Sequence, residues 1–279
     1  MNIRTCPTEG RGVNKWTFLT ACQLLRRRWS ETKIGEYLAE HTTRTGRKAE
    51  EEIERAIERA PQWVKQGAVG SCKRWPAIDH VERQKALSTG VGVEELRNAS
   101  PQKQARADQV LPILFPGNPL IWAAMSLRPE IGDTLPVRQW LPVSGMQQFI
   151  VPNPMISREI PHNGKSRRCL TNTGSRVYLV VESDCGAADE QAAILWHLAN
   201  FARLVIAVHS ASKSVHGWFH VANRSEEKNR EFMEYAVSLG ADPATFAKCQ
   251  PVRMPGGHRP SKGKQEILFF NPKVIGGVR

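Results

Sequence analysis

Apolar residues recur with a helical period through the first 60 residues of the chain. Trp16, Leu19, Cys22 and Leu25 are three positions apart, and spacings of three or four residues continue to position 60. Such a period places apolar side chains on one side of a helix. Ser30 precedes a new run of this kind and is a favourable residue for a helix start. The pattern therefore predicts three helices that form a small N-terminal module.

From position 177 onward, short apolar runs alternate with helical patterns. The predicted strands are 177–181, 204–208, 215–221 and 267–270, and the predicted helices are 188–203 and 225–239. This βαββαβ order is typical of RRM-like and ferredoxin-like proteins. We therefore expect an α+β fold with an RRM-like core, in which helices cover one face of a sheet and the other face is open to a site.

The middle of the chain is less regular. Residues 61–104 are polar, with glycines that separate short helical pieces at 78–87 and 93–98, which favours a connector over a domain. The proline-rich apolar run 111–116 predicts buried irregular structure, and 148–152 predicts a short strand. The expected organisation is a helical domain at 1–62, a connector at 63–104 and a larger domain at 105–279, in which an added α/β part precedes the core.

The composition narrows the class of partner. The 279 residues are 41% hydrophobic and 24% charged, with a formal net charge of +12 and a pI near 9.7. This charge favours a polyanionic partner such as nucleic acid, and a merely basic solvated surface is the alternative. The six cysteines form no Cys-x-x-Cys pair, so we expect reduced thiols in the cytoplasm. Without an apolar leader or a membrane-length run, neither export nor membrane insertion is expected.

Two acidic residues follow the first predicted strand of the core. Glu182 and Asp184 are two positions apart, so on a strand their side chains point to the same face and Ser183 points away. Such carboxylate pairs suit Mg²⁺ or Mn²⁺, which prefer oxygen ligands and retain water and substrate phosphates. A solvated strand end is the alternative interpretation.

Hydroxyls, an ammonium and an imidazole lie at the turn between the second and third predicted strands. Ser212, Lys213 and Ser214 can donate to phosphate oxygens, and His216 can donate to a phosphate or carry a proton near neutral pH. A serine-rich turn needs no function by itself. His220, further along the same strand face, is expected to be structural.

The order of these motifs resembles that of the archaeo-eukaryotic primase superfamily, the primase-polymerases of plasmids, phages and other mobile elements. In that family an acidic pair, Ser-x-His and a further carboxylate lie on an RRM-like sheet, and here the first two motifs are 182–184 and 214–216. Asp242 stands where the third carboxylate is expected, but Asp242-Pro243 is also a good helix start. Glu266 is the fallback for this third position.

Two further segments carry the resemblance. Residues 253–259, with Arg253, Arg259 and two glycines that allow close backbone approach to a phosphate, are similar to a segment that precedes the last strand in such proteins. The N-terminal module resembles the PriCT helical module found beside many primases, through Asn14, Phe18, 21–22, 30–31, Ile34 and 52–57. In the family this module usually follows the catalytic domain, whereas here it precedes it.

The resemblance implies a template-dependent nucleotidyltransferase that makes or extends primers. Glu182, Asp184 and Asp242 would hold two Mg²⁺ or Mn²⁺ ions, with His216 in the catalytic set. The residues that would bind a nucleoside triphosphate are Ser212, Lys213, Ser214, His216, Arg253 and Arg259. The implied partners are a single-stranded DNA template, a primer and a separate replicative helicase. The alternatives are a non-catalytic replication-initiation protein that binds DNA and a metal-dependent nuclease.

Overall fold

A computed structural model describes residues 6, 13–26, 29–65, 75–127, 131–160, 166–183, 185–260 and 262–275. The chain divides into two compact units, residues 1–74 and 75–279. Of the predicted site residues, Asp184 lies outside the described residues. Within the described ranges, no helix combines the length and the apolar character needed to span a membrane.

The first unit contains the three predicted helices. They are α1 (Val13–Arg26), α2 (Glu31–His41) and α3 (Arg47–Lys65). The Ser30 hydroxyl accepts the N–H of Lys33 and caps α2, as its position before the apolar run predicted. Leu24, Ile34 and Leu38 are buried where the apolar sides of the helices meet. Local periodicity was sufficient to predict these three helices, because each helix buries one apolar side.

The second unit has six helices and ten strands in its described residues. The helices are α4 (His80–Leu87), α5 (Val93–Asn98), α6 (Ala107–Leu114), α7 (Val137–Trp140), α8 (Ala188–Leu198) and α9 (Glu226–Ser238). The strands are β1 (Leu120–Ala124), β2 (Asp133–Pro136), β3 (Phe149–Ile150), β4 (Tyr178–Glu182), β5 (Arg203–His209), β6 (Val215–His220), β7 (Val252–Arg253), β8 (His258–Arg259), β9 (Gly263–Lys264) and β10 (Glu266–Phe270). Short 3₁₀ helices occur at Leu141–Met146, Leu170–Asn172, Pro243–Phe246 and Pro272–Val274.

Two antiparallel sheets organise this unit and give it the expected α+β class. The main sheet has the strand order β10-β5-β6-β4, the small sheet has the order β2-β1-β3-β7, and β8 pairs with β9. In the main sheet, β6 lies between β4 and β5, the two strands that α8 connects. A third strand between the two ends of a βαβ unit is the split βαβ arrangement. The last strand, β10, lies beside β5, and the finer RRM-like assignment stays a prediction.

Both faces of the main sheet are covered. Leu179 and Phe219 pack toward the helical side, with Leu195 of α8 and Phe232 of α9. On the opposite face, side chains of β4, β5 and β6 pack against α6 and the small sheet; these include Val180, Trp218, Leu111, Ile121 and Val252. The expectation of an open sheet face is therefore wrong, because α6 and the small sheet bury it.

The segment assigned to a connector differs from expectation in its described part. Residues 75–104 contain α4 and α5, and Ala86 and Leu96 are fully buried in the core beside α8. The two helices match the short helical pieces predicted at 78–87 and 93–98, and the difference lies in their burial in the core. Their attachment to the second unit depends on side chains far away in the sequence.

Residues 111–116 also differ from expectation. Most of this run belongs to α6, whose Val110, Leu111 and Leu114 are completely buried. The spacing of these three residues fits a helix, and Pro112 lies near its C-terminal end. Prolines are typical of irregular structure, and their presence in this run outweighed the helical spacing of its apolar residues.

Candidate functional site

The first two motifs lie on neighbouring strands of the main sheet. Glu182 is the last residue of β4, and the strand register places it directly opposite His216 of β6. Residues directly opposite each other in an antiparallel pair share a face and bring their side chains close together. The Oε1 atom of Glu182 is 3.3 Å from Nε2 of His216. The sheet therefore joins a carboxylate and an imidazole that are more than thirty positions apart in the chain.

Burial determines the protonation of His216. Its side chain is 2% exposed, and loss of solvent, with smaller contributions from Arg253 and His209, lowers the imidazole pKa to about 3. The loss of solvent is the largest of these causes, although the Glu182 carboxylate is in contact with the ring. His216 is thus neutral at physiological pH. The expectation that it carries a proton near neutral pH does not hold in this environment.

The buried imidazole also has unused hydrogen-bonding capacity. Within the described ranges, neither ring nitrogen of His216 makes a well-aligned hydrogen bond, although Nε2 contacts Glu182. Buried polar atoms are nearly always satisfied in native proteins, and exceptions are frequent at functional sites. A neutral imidazole has one donor and one acceptor to offer a ligand.

Arg253 reaches this site from the small sheet. Its Nη1 donates to Oε1 of Gln148 at 2.8 Å, and its guanidinium carbon lies 4.6 Å from the centroid of the Phe149 ring. Burial and the nearby charge of Arg259 lower the pKa of Arg253, while Glu182 opposes this change. The predicted residue Arg253 therefore lies near Glu182, and the predicted residue Arg259 lies near Arg253. Gln148 was not among the predicted site residues, because a lone glutamine before a short strand carries no recognisable signal.

The serine-rich turn closes the same end of the sheet. Ser212 and Lys213 are exposed, and Ser214 is half-buried. The Ser214 carbonyl accepts the Ser210 N–H at 2.8 Å, and the Ser214 N–H donates to the Ser210 hydroxyl at 3.1 Å. Buried Ser210, which the sequence analysis did not select, thus shapes the turn and presents Lys213 to solvent.

Asp242 lies next to Glu182 and also starts a short helix, so both of the placements that the sequence left open occur together. Its N–H donates to the Glu182 carbonyl at 2.7 Å, and Ser183 bridges with Ala241 in antiparallel fashion. Continuing this register places Asp242 opposite Glu182, on the side away from His216. Its carboxylate also accepts the Ala244 N–H at 2.9 Å and caps the 3₁₀ helix Pro243–Phe246.

Glu266 does not join this group. Glu266 of β10 pairs with His209 of β5, whereas His216 of β6 pairs with Val208, the preceding residue of β5. Adjacent strand positions face opposite sides of a sheet. Its carboxylate contacts Nη2 of Arg97 at 3.0 Å. The fallback for the third carboxylate is therefore wrong.

The paired glycines serve the chain itself. A Cβ on Gly257 would lie 2.1 Å from the Gln147 carbonyl oxygen, and Gly256 has a φ of +71° with Ala107 close by. These close approaches are to backbone and not to an open phosphate-sized space. The expectation that the glycine pair admits a phosphate is replaced by a packing role, whereas Arg253 keeps its place near Glu182.

Glu182 and its neighbour Asp242 supply carboxylates of the kind that bind a divalent cation. Glu182 and Asp242 offer oxygen ligands of the class that Mg²⁺ and Mn²⁺ prefer, and the Glu182 side chain is 24% exposed. In the part of the chain that the structure describes, no cluster of three or more His, Cys, Asp or Glu residues is arranged to hold a metal ion. Asp184, the other carboxylate of the predicted pair, lies outside that part.

No family model matches this sequence, and no curated protein matches it. Among solved structures, the chain is similar to the AEP domain of the cyanophage S-2L primase-polymerase, with 17% identity over 72% of this chain and 97% of that one. The TM-score is 0.36, which is too low to establish a common fold, so this likeness carries no argument about function.

Proposed function

We propose that this protein is a primase-polymerase of a plasmid, phage or other mobile element, which transfers nucleotides to a primer on a single-stranded DNA template. One observation supports the proposal above all. The carboxylate of Glu182 and the imidazole of His216 meet at the ends of neighbouring strands, with Arg253 beside them. These residues come from the acidic motif, the Ser-x-His motif and the arginine segment on which the family resemblance rests.

The proposed roles follow from charge and exposure. Glu182 and Asp242, together with Asp184, would hold Mg²⁺ or Mn²⁺, which would neutralise charge on the triphosphate and on the leaving group. Arg253, Arg259 and exposed Lys213 would attract phosphate oxygens. Neutral His216 would hold one phosphate oxygen through a ring N–H without exchanging a proton at physiological pH. The chain would then act mainly by positioning and by electrostatic stabilisation.

A carboxylate substitution with a matched control tests the proposal. Glu182→Gln keeps the size of the side chain and removes its charge, and we expect primer synthesis and extension to fall by about 100-fold or more. Glu266→Gln makes the same change on the other face of the main sheet and should keep most activity. The assay uses a single-stranded template with Mg²⁺ or Mn²⁺ and each nucleotide set. Equal product from both variants, and from Glu182→Ala with Asp184→Ala, would overturn the proposal.

The geometry of Asp242 favours one alternative function. Its carboxylate already caps a 3₁₀ helix, so a non-catalytic replication-initiation protein could use the same fold only to bind DNA. Such a protein would bind DNA without nucleotides, with a strong salt dependence, and would incorporate no nucleotide under any metal condition. Shortening of labelled single-stranded DNA by metal alone would instead indicate a nuclease.

A further inference from the structure

A cavity of about 980 Å³ lies next to the candidate site, on the far side of Asp242. Pro243 and Ala244 line it, and both belong to the 3₁₀ helix that Asp242 caps. The backbone N–H of Asp242 donates a hydrogen bond to the backbone carbonyl of Glu182. The cavity is therefore joined to the candidate site by one residue, although none of its lining residues belongs to the predicted motifs.

Aromatic rings and guanidinium groups form one wall of this cavity. Within the lining, the guanidinium carbon of Arg176 lies 4.7 Å from the centroid of the Phe246 ring. Behind the wall, the guanidinium carbon of Arg230, which is not a lining residue, lies 3.5 Å from the centroid of the Trp75 ring. Trp75 and Phe246 contact each other edge to face at 5.5 Å. Leu170, also in the lining, is 57% exposed. Planar bases pack favourably against surfaces built in this way.

The charges around the cavity do not cancel. Arg176 is almost completely buried and is neutralised by Glu226, with nitrogen to oxygen distances of 3.0 and 3.1 Å. Arg224 and Lys248 also line the cavity, and neither forms an ion pair with a carboxylate of the described residues. The two cations leave this surface with an excess of positive charge.

Both cations have donors to offer an anion. The Lys248 ammonium donates to the carbonyls of Thr173 and Gly174 at 2.7 and 3.0 Å, which uses two of its three N–H groups. Arg224 uses Nη1 to reach the Phe201 carbonyl at 3.2 Å, which occupies one of the five donors of a guanidinium. Backbone contacts thus fix both side chains while part of their donor capacity remains.

We propose that this cavity binds one nucleotide unit, with the base against Trp75, Phe246 and Leu170 and the phosphate on Arg224 and Lys248. An apolar wall beside two cations that have no carboxylate partner among the described residues matches the two halves of a nucleotide. The unit comes either from single-stranded nucleic acid or from a free nucleotide. The choice of ligand rests on the proposed function, but the test measures binding, so the two proposals can fail separately.

Photocrosslinking tests the position of the base. A single strand of about ten nucleotides, within the usual site size for such proteins, carries 5-iodouracil and is irradiated with the full chain in EDTA. We expect a crosslink to the peptide that contains Trp75 or Phe246, and we expect Phe246→Leu to reduce its yield. Loss of the crosslink with excess nucleoside triphosphate assigns the site to free nucleotide, and loss only with excess strand assigns it to the strand. Crosslinks confined to other peptides overturn the proposal.

A charge variant tests the phosphate contact independently. Arg224→Ala should lower the affinity for the same strand and reduce the slope of log affinity against log salt by about 1, as loss of one phosphate contact predicts. Arg138→Ala removes the same charge from an exposed position outside the cavity lining and should retain the wild-type slope. Equal slopes for Arg224→Ala and wild type, with a folded protein by circular dichroism, would refute the role of Arg224.

Discussion

Burial of His216 predicts a specific dependence of stability on pH. The folded imidazole has a pKa of about 3, against 6.5 for the unfolded residue. Between these values the unfolded chain binds a proton that the folded chain does not, so stability falls as pH decreases below 6.5. A pH of 5 is about 1.5 units below the pKa of the unfolded imidazole. At about 1.4 kcal/mol per unit, this residue alone then lowers the free energy of unfolding by about 2 kcal/mol relative to pH 7.

The substitution His216→Gln removes the titrating group and keeps a polar side chain. Urea unfolding of wild type and variant at pH 7 and pH 5, in EDTA, measures the two free energies at each pH. We expect wild type to lose about 2 kcal/mol more than the variant between these values, or about 4–8 °C in Tm for a unit of this size. The first unit is identical in both proteins, so its contribution cancels in the comparison.

A matched control separates burial from the mere loss of a histidine. His258 is exposed on β8, and His258→Gln should behave like wild type in the same experiment. Parallel losses of stability for wild type and His216→Gln would refute the reasoning, because they would show that the imidazole is not held neutral by burial.

Three further substitutions test the packing inside each of the two units. Tyr178→Phe leaves the buried Leu114 carbonyl without its donor, which lies at 2.6 Å, and should cost about 1–3 kcal/mol in urea unfolding. Gly217→Ala places a Cβ 2.5 Å from Cδ2 of Leu195 and should lower stability by about 1–3 kcal/mol, with unchanged stability as the contrary result. Leu38→Ala empties a fully buried position of the first unit and should cost about 2–5 kcal/mol there. Hydrogen exchange should then report faster opening in residues 13–65 only, and equal acceleration in the main sheet would contradict the division into two units.

Much of the local structure could be predicted because its causes are local. The cap at Ser30 and the apolar run 204–208 each act through neighbours within a few positions. Short-range signals also placed Glu182 at a strand end and His216 near a strand start, as found. The same method failed for α6, where Pro112 interrupted an otherwise helical pattern.

The sequence by itself determined the three helices of the first unit, the order of the elements from position 177 onward and the chemistry of the residues at the strand ends. The tertiary structure decided which of these residues meet. It placed Glu182 opposite His216, moved Glu266 to the other face by one position of register, and brought Arg253 across from the small sheet. Burial in the folded chain then lowered the pKa of His216 and left its imidazole neutral at physiological pH. Periodicity describes contacts between near neighbours, whereas register, burial and pKa depend on side chains that only the folded chain brings together.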